Sequence, residues 1–306
     1  MTNPKINFTP KTREEYELTV RQMADFAHRS AVSEEEKISI KKTLATLLFD
    51  YTGEDKVVHS KDLLSQVNAE KDIPCIPFPH EEMTKATDGC HPKQVIVVSG
   101  TTKQGKTQFT YDLVTRMVDV KPLLLFFEDR PVEVIKKKFY FDKNYEIPEF
   151  YTPELYTDES LEWIKIKMLE SKYKWGSKVV VIDNLHYITQ AQGANTPRYD
   201  KLLTSYVKEL KDFAIRWNMT IFLLVHMNKT PDHRAPTVYD IADTAGIGQI
   251  ADKVWFVQRE DDRTIWYSDR DRQTGYKGKI TFNFDRGSYS ELDIVEEVTG
   301  VKKPRF

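Results

Sequence analysis

The stretch VIVVSGTTKQGKTQF, residues 95 to 109, constrains this chain more than any other. An apolar, β-branched run breaks into Gly100, Thr101, Thr102, Lys103, Gln104, Gly105, Lys106 and Thr107, which satisfies G-x-x-x-x-G-K-[ST] at every fixed position. Each of those positions has a physical reason. The glycines let backbone N–H groups curl around phosphate oxygens, the lysine sets a point charge on the β- and γ-phosphates, and the hydroxyl offers a ligand to Mg²⁺. The stretch TQFTYDLVTRMVD, from Thr107 on, reads as a helix whose N-terminus faces the anion. Gly100 to Gln108 are therefore the expected nucleotide-binding residues, with ATP or another NTP or dNTP as ligand and Thr107 as one Mg²⁺ ligand.

The same texture recurs downstream. VIVVS (95–99), PLLLFF (122–127), KVVVID (178–183), TIFLLVH (220–226) and KVWFVQR (253–259) are short continuous apolar runs with helix-like stretches between them. Such runs suggest strands covered on both faces, and their alternation with helices implies βαβ units in a mainly parallel sheet. TIWYSDRDR and KGKITFNFD read as a final hairpin or edge strands. Residues 1–73 differ: REEYELTVRQMADFAHRS has helical spacing, SEEEKISIKKTLATLLFDY opens with Ser33 and Glu36 in capping-box order, and HSKDLLSQVNAEKD is a weaker third helix. Pro74, Pro77 and Pro79 then mark a boundary. The expected organisation is a helical region over 1–73, a linker and lead-in over 74–94, and an NTPase domain over 95–306.

Composition argues against several classes. No stretch approaches the ~20 apolar residues of a membrane helix, and the N-terminus lacks a secretory pattern. Two cysteines, Cys75 and Cys90, argue against a disulfide framework and suit a reducing, cytoplasmic compartment. The net charge of −2 argues against a surface coated with basic residues, but leaves room for nucleic-acid contacts confined to a few loops. Cys75, His80, Cys90 and His91 invite a zinc reading; adjacency of the last two disfavours it.

A phosphate loop needs a second metal ligand. Asp183 closes VVVID, where a buried strand presents a carboxylate at its C-terminal edge. An aspartate there can also be only a turn or helix cap. Glu128, at the end of LLLFFEDRP, is placed to polarise a water near the γ-phosphate, while the neighbouring Asp129 better suits a cap.

These segments, in this order, resemble the RecA-fold core of ring helicases: the DnaB group and the phage primase–helicases. The likeness covers about residues 76–292, from CIPFPHEEMTKATDGCHPKQVIVVSG through LLLFFEDRPVEVIKKK, VVVIDNLHYI, YDKLLTSYVKELKDFAIRWNMTIFLLVHMNK and DIADTAGIGQIADKVWFVQRE to SDRDRQTGYKGKITFNFD. It implies a RecA-like NTPase core in which Glu128 is the catalytic carboxylate and His226 a γ-phosphate sensor. It also implies that Arg272 is an arginine finger serving a neighbouring subunit's nucleotide, with Arg270 the second basic residue beside it. A histidine rather than a glutamine as sensor points to the phage-type branch. The segment DIADTAG departs from the family, with Ala242 where an arginine is frequent, Thr244-Ala245 where Ser-Gly is frequent, and Gly248 where the phage branch places a basic residue.

The resemblance further implies a hexameric ring on single-stranded DNA, with two candidate DNA loops: 189–201, containing Arg198 and Lys201, and 228–240, containing Lys229, His233 and Arg234. Either can equally be a solvated surface loop. The N-terminal helices are too short for a primase domain and are expected to pack on a neighbouring subunit or to receive a partner such as a primase or polymerase. The leading reading is an ATP-dependent replicative helicase acting in the cytoplasm, of a kind that suits a phage or mobile element. A RecA- or RadA-like filament on single-stranded DNA and a KaiC-like signalling ATPase remain as alternatives.

Overall fold

The computed structural model describes residues 13–27, 33–49, 57–71, 75–138, 147–190, 199–227, 234–241, 245–260, 262–285 and 287–297. The chain divides into two compact units, Met1–Ile73 and Pro74–Phe306. The first holds α1 (Arg13–Ala27), α2 (Glu34–Phe49) and α3 (Leu64–Lys71), the last preceded by a 3₁₀ turn at Ser60–Leu63. The capping box forms: Ser33 Oγ accepts from the Glu36 N–H at 3.3 Å, and the Glu36 carboxylate accepts from the Ser33 N–H at 3.1 Å. Leu18, Phe26, Ile38, Leu64 and Val67 of these helices are exposed. No described helix is long and apolar enough to cross a membrane.

The second unit is an eight-stranded sheet with helices on its faces. Its strands are β1 (Val95–Gly100), β2 (Leu123–Phe126), β3 (Val179–Asp183), β4 (Thr220–His226), β5 (Lys253–Glu260), β6 (Arg263–Asp271), β7 (Gly278–Asp285) and β8 (Ser288–Glu297). Its helices are α4 (Glu81–Thr87), α5 (Lys106–Thr115), α6 (Pro131–Lys138), α7 (Leu161–Trp175), α8 (Leu185–Gln190), α9 (Tyr199–Trp217) and α10 (Ala245–Ile250). The spatial order is β2-β3-β4-β1-β5-β6-β7-β8. Every pairing from β2 to β5 is parallel, and β5 to β8 form an antiparallel meander.

Why the first five strands are apolar throughout follows from the pleat. Alternate residues point to opposite faces, and both faces are covered. Val95 and Val97 join Leu125, Ile182 and Leu223 in a core closed by α7, α9 and α10. Ile96 and Val98 join Leu124, Val181 and Leu224 on the other face, beneath Phe109 and Leu113 of α5. The meander extends that second core through Trp255, Trp266 and Phe282.

At the foot of β5, Lys253 and Asp271 form an ion pair at 2.7 Å with both side chains fully buried. The ammonium also donates to the Thr87 carbonyl at 2.6 Å, which ties α4 to the sheet. Removing one charge strands the other in a medium that solvates it poorly. Asp271→Ala should cost about 3–5 kcal/mol, seen as a lowered denaturant midpoint, whereas Lys253→Met combined with Asp271→Leu should recover most of the loss. A cost for Asp271→Ala as small as the ~1 kcal/mol of an exposed pair would show that water reaches this site.

Candidate active site

The sheet order places four strand ends side by side: β2, β3, β4 and β1. Their register aligns Phe126 with Asp183 and His226 with Gly100. Glu128, Asp183, Asn184, His226 and the phosphate loop therefore converge at the C-terminal edge of the parallel strands, where α/β sheets bind ligands.

The loop runs from Gly100 to α5. A Cβ at Gly100 would lie 2.6 Å from the Val257 carbonyl of β5, so only glycine fits there. Gly105, just ahead of α5, takes a left-handed φ of 84° that glycine adopts without strain. Thr102 and Lys103 are exposed, whereas Lys106 is buried with Nζ 3.4 Å from His226 Nδ1. Gln104 and Gln108 are turned to structural partners: Gln104 Oε1 accepts from the Arg259 N–H at 2.5 Å, and the Gln108 amide donates to the Gly287 carbonyl at 3.1 Å.

Asp183 is buried, and Tyr111 donates its phenol O–H to Oδ2 at 2.8 Å. Burial raises the carboxyl's pKa, while the Tyr111 phenol, the Lys106 charge and the Thr107 hydroxyl pull it back down. Burial, then the Asp183 charge, pushes the Tyr111 phenol well above its usual range, so it remains a donor. A buried carboxylate beside a threonine hydroxyl is a hard-oxygen donor set, the kind that suits Mg²⁺.

Glu128 is half-exposed and accepts from Asn184 Nδ2 at 2.5 Å; His226 Nε2 lies 3.9 Å from the same carboxylate oxygen. Asp129 pairs with the Lys137 side chain of α6 at 3.0 Å, an ion pair in place of the cap its position suggested. Asn184 and Tyr111 are the residues that sequence reasoning missed. Tyr111 lies one helical turn beyond Thr107 and Asn184 adjoins Asp183, but neither spacing by itself reveals the contact.

Arg270 and Arg272 lie elsewhere. Asp271 pairs with Lys253 at the start of β5, so both arginines flank the opposite end of the sheet from the phosphate loop. The guanidinium of Arg270 donates to the Gly248 carbonyl at 2.5 Å, and that of Arg272 donates to the Gln249 carbonyl, both near the C-terminal end of α10. From Lys253 to Val257, beside Gly100, four residues of strand span roughly 13 Å. Arg272 does not join its own chain's phosphate site.

Of the loop cations, Arg198, Lys229 and His233 lie outside the described residues. Lys201 is exposed on α9. Arg234 is held by Asp240 in a two-point ion pair, 2.7 and 2.6 Å. The four candidate zinc ligands do not assemble. His80 packs edge-on to Phe282, its pKa lowered to about 4 by burial and the Arg116 charge. The Cys90 thiol is buried and raised to about 11 by that burial. Cys75 and His91 instead lie near Asp88, with His91 Nε2 2.9 Å from the Asp88 carbonyl oxygen and 2.7 Å from the Gln273 amide nitrogen.

Strand order, glycine loop, buried lysine and strand-end carboxylates define a P-loop NTPase core of the RecA-like kind. Residues 144–287 match the family described as DnaB-like helicase C terminal domain. The replicative DNA helicase DnaB of Leifsonia xyli subsp. xyli is 23% identical over 216 residues, covering 60% of this chain and 47% of the relative. That of Haemophilus influenzae is 20% identical over 290 residues, covering 79% and 60%. The chain thus spans about half to three-fifths of the curated relatives it matches.

Among solved structures, one described as an ATPase domain superposes with a TM-score of 0.64 at 18% identity, covering 78% of this chain and all of that domain. A DnaB-like replicative helicase, studied for its interactions with primase, gives 0.65 at 15% identity, covering 92% of this chain and 77% of that one. The resemblance to the DnaB group and the RecA-like fold are borne out by these likenesses.

Proposed function

We propose that the chain is an ATP-dependent DNA helicase of the replicative type, which assembles as a ring, hydrolyses NTP at subunit interfaces and moves along single-stranded DNA. One observation carries this reading: the catalytic ends of β1 to β4, and Arg270 with Arg272 at the end of β6, occupy opposite ends of one sheet. A guanidinium stabilises charge on the transferring phosphoryl group, so an arginine too far from its own nucleotide to serve it can serve a neighbour's. Head-to-tail contact of that kind closes into a ring or runs on as a filament; the likeness to DnaB helicases favours the ring, with six subunits expected.

Within this reading Lys106 and the loop backbone hold the phosphates, Thr107 and Asp183 hold Mg²⁺, Glu128 polarises the attacking water and His226 senses the γ-phosphate. Bound Mg²⁺ supplies neutralisation of the phosphate charge. Lys201 and Arg234, with Arg198, Lys229 and His233, are the proposed DNA contacts; of the two described, Lys201 is exposed and Arg234 is held by its ion pair. The exposed apolar residues of α1 to α3 are suited to a neighbouring subunit or a partner such as a primase. A soluble protein of the cytoplasm, phage-encoded or otherwise, fits this role.

The test is steady-state ATPase with and without single-stranded DNA, paired with unwinding of a forked duplex. Stimulation with unwinding is the expected result. Stimulation with strand pairing and no unwinding would instead indicate a recombinase-like filament, and indifference to DNA would remove both readings.

A further inference from the structure

Asn184 sits at the corner between β3 and α8 with none of its surface exposed. Its amide is fully engaged. Oδ1 accepts from the His186 backbone N–H at 3.0 Å, Nδ2 donates to Glu128 Oε1 at 2.5 Å, and Nδ2 also faces His226 Nε2 at 3.1 Å. These partners fix which way the amide points: turned over, it would set its oxygen against a carboxylate and its NH₂ against a backbone N–H.

His226 consequently stands between two donors. The Asn184 NH₂ faces Nε2, and the Lys106 ammonium faces Nδ1 at 3.4 Å. Burial, with the Lys106 charge, lowers the imidazole's pKa and favours its neutral form. A neutral ring has one donor and one acceptor nitrogen, so only one of the two contacts can be a hydrogen bond at any moment.

We propose that Asn184 is a positioning residue linking the phosphate sensor to the catalytic carboxylate, switched by the tautomer of His226. It rests on the NTPase reading above and deepens it. While Lys106 faces Nδ1, the two donors compete for the ring. Once phosphate oxygens claim the ammonium, the ring proton resides on Nδ1, having moved from Nε2 by way of solvent with no change in ring charge. Nε2 then accepts from Asn184, and the amide, held at all its polar atoms, fixes Glu128 for attack by water. Lys106, His226, Asn184 and Glu128 thus form one line from phosphate to base.

The test uses the full chain and compares Asn184→Ala, His226→Ala and the Asn184→Ala/His226→Ala pair. Alanine removes the Asn184 donor without setting a second carboxylate against Glu128, as aspartate would; an unfolding midpoint close to wild type shows that the corner, which loses its acceptor for the His186 N–H, still folds. We expect kcat with DNA to fall about 10- to 100-fold in each single variant. KM and the affinity of a fluorescent non-hydrolysable ATP analogue should stay within about twofold of wild type. In the double variant kcat should fall no more than about twofold below the worse single variant, because one relay has already been cut. Effects that multiply, an unchanged or raised kcat in Asn184→Ala, or a parallel loss of analogue binding would overturn the relay. A wild-type chain without ATPase activity would instead remove the underlying functional reading, and that is seen before any variant is made.

Discussion

Arg272→Ala should abolish turnover, by about 10³-fold or more, while leaving nucleotide affinity close to wild type. The expectation follows from position: Arg272 lies beyond the start of β5, and the phosphate loop lies at the other end of the same strand pair. A stronger form of the experiment mixes this variant with Lys106→Ala. Each is inactive alone, one lacking the finger and the other the phosphate lysine. In randomly mixed head-to-tail assemblies about a quarter of the interfaces combine an intact lysine with an intact arginine, so ATPase activity should reappear on mixing. Mixtures that stay dead, or an Arg272→Ala protein whose nucleotide binding falls in proportion to its rate, would show that the arginine acts within its own chain or only holds α10.

Glu128→Gln should lower kcat about 10²- to 10⁴-fold, the range expected for loss of a general base. Glutamine fills the same space and still offers an oxygen to Asn184, so binding of nucleotide should persist. Rapid-quench measurement of a single turnover separates the two effects: a slow chemical step with normal analogue affinity supports the assignment. If the chemical step is unchanged, the base lies elsewhere. Asp129 is a poor substitute, being paired with Lys137 and directed along α6.

Much of this was legible in the amino-acid order. Five unbroken apolar runs became five parallel strands, because a strand covered on both faces has no solvent side on which to place polar residues. The capping box at Ser33 and Glu36 is a local device and formed as written. The strand SYSELDIVEE was not foreseen. It is the outermost strand of the meander, and a strand at that edge lacks the unbroken apolar run that marked the others. At the site, Lys106, Asp183, Glu128 and His226 could be brought together because Lys106 opens α5, Asp183 and His226 end β3 and β4, and Glu128 lies just past β2. Asn184 could not. Its importance comes from three strand ends meeting in space, and residues 128, 184 and 226 carry no periodicity that announces the encounter. For the same reason the sequence did not disclose that Gln108 serves the β7–β8 turn, or that Arg234 is tied to Asp240.

The glycine at the mouth of the phosphate loop rests against β5 with no room for a single added carbon. The far end of β5 is pinned to β6 and α4 by a lysine–aspartate pair closed to solvent. In a ring of such chains β5 is then a strut with one foot in each of two catalytic chambers. Neither foot has slack, so under the proposed ring arrangement a shift of the phosphate loop around one nucleotide would be transmitted along the strut toward Arg272. The timing of successive hydrolysis events would be set by the stiffness of this strand, not by any separate messenger between subunits.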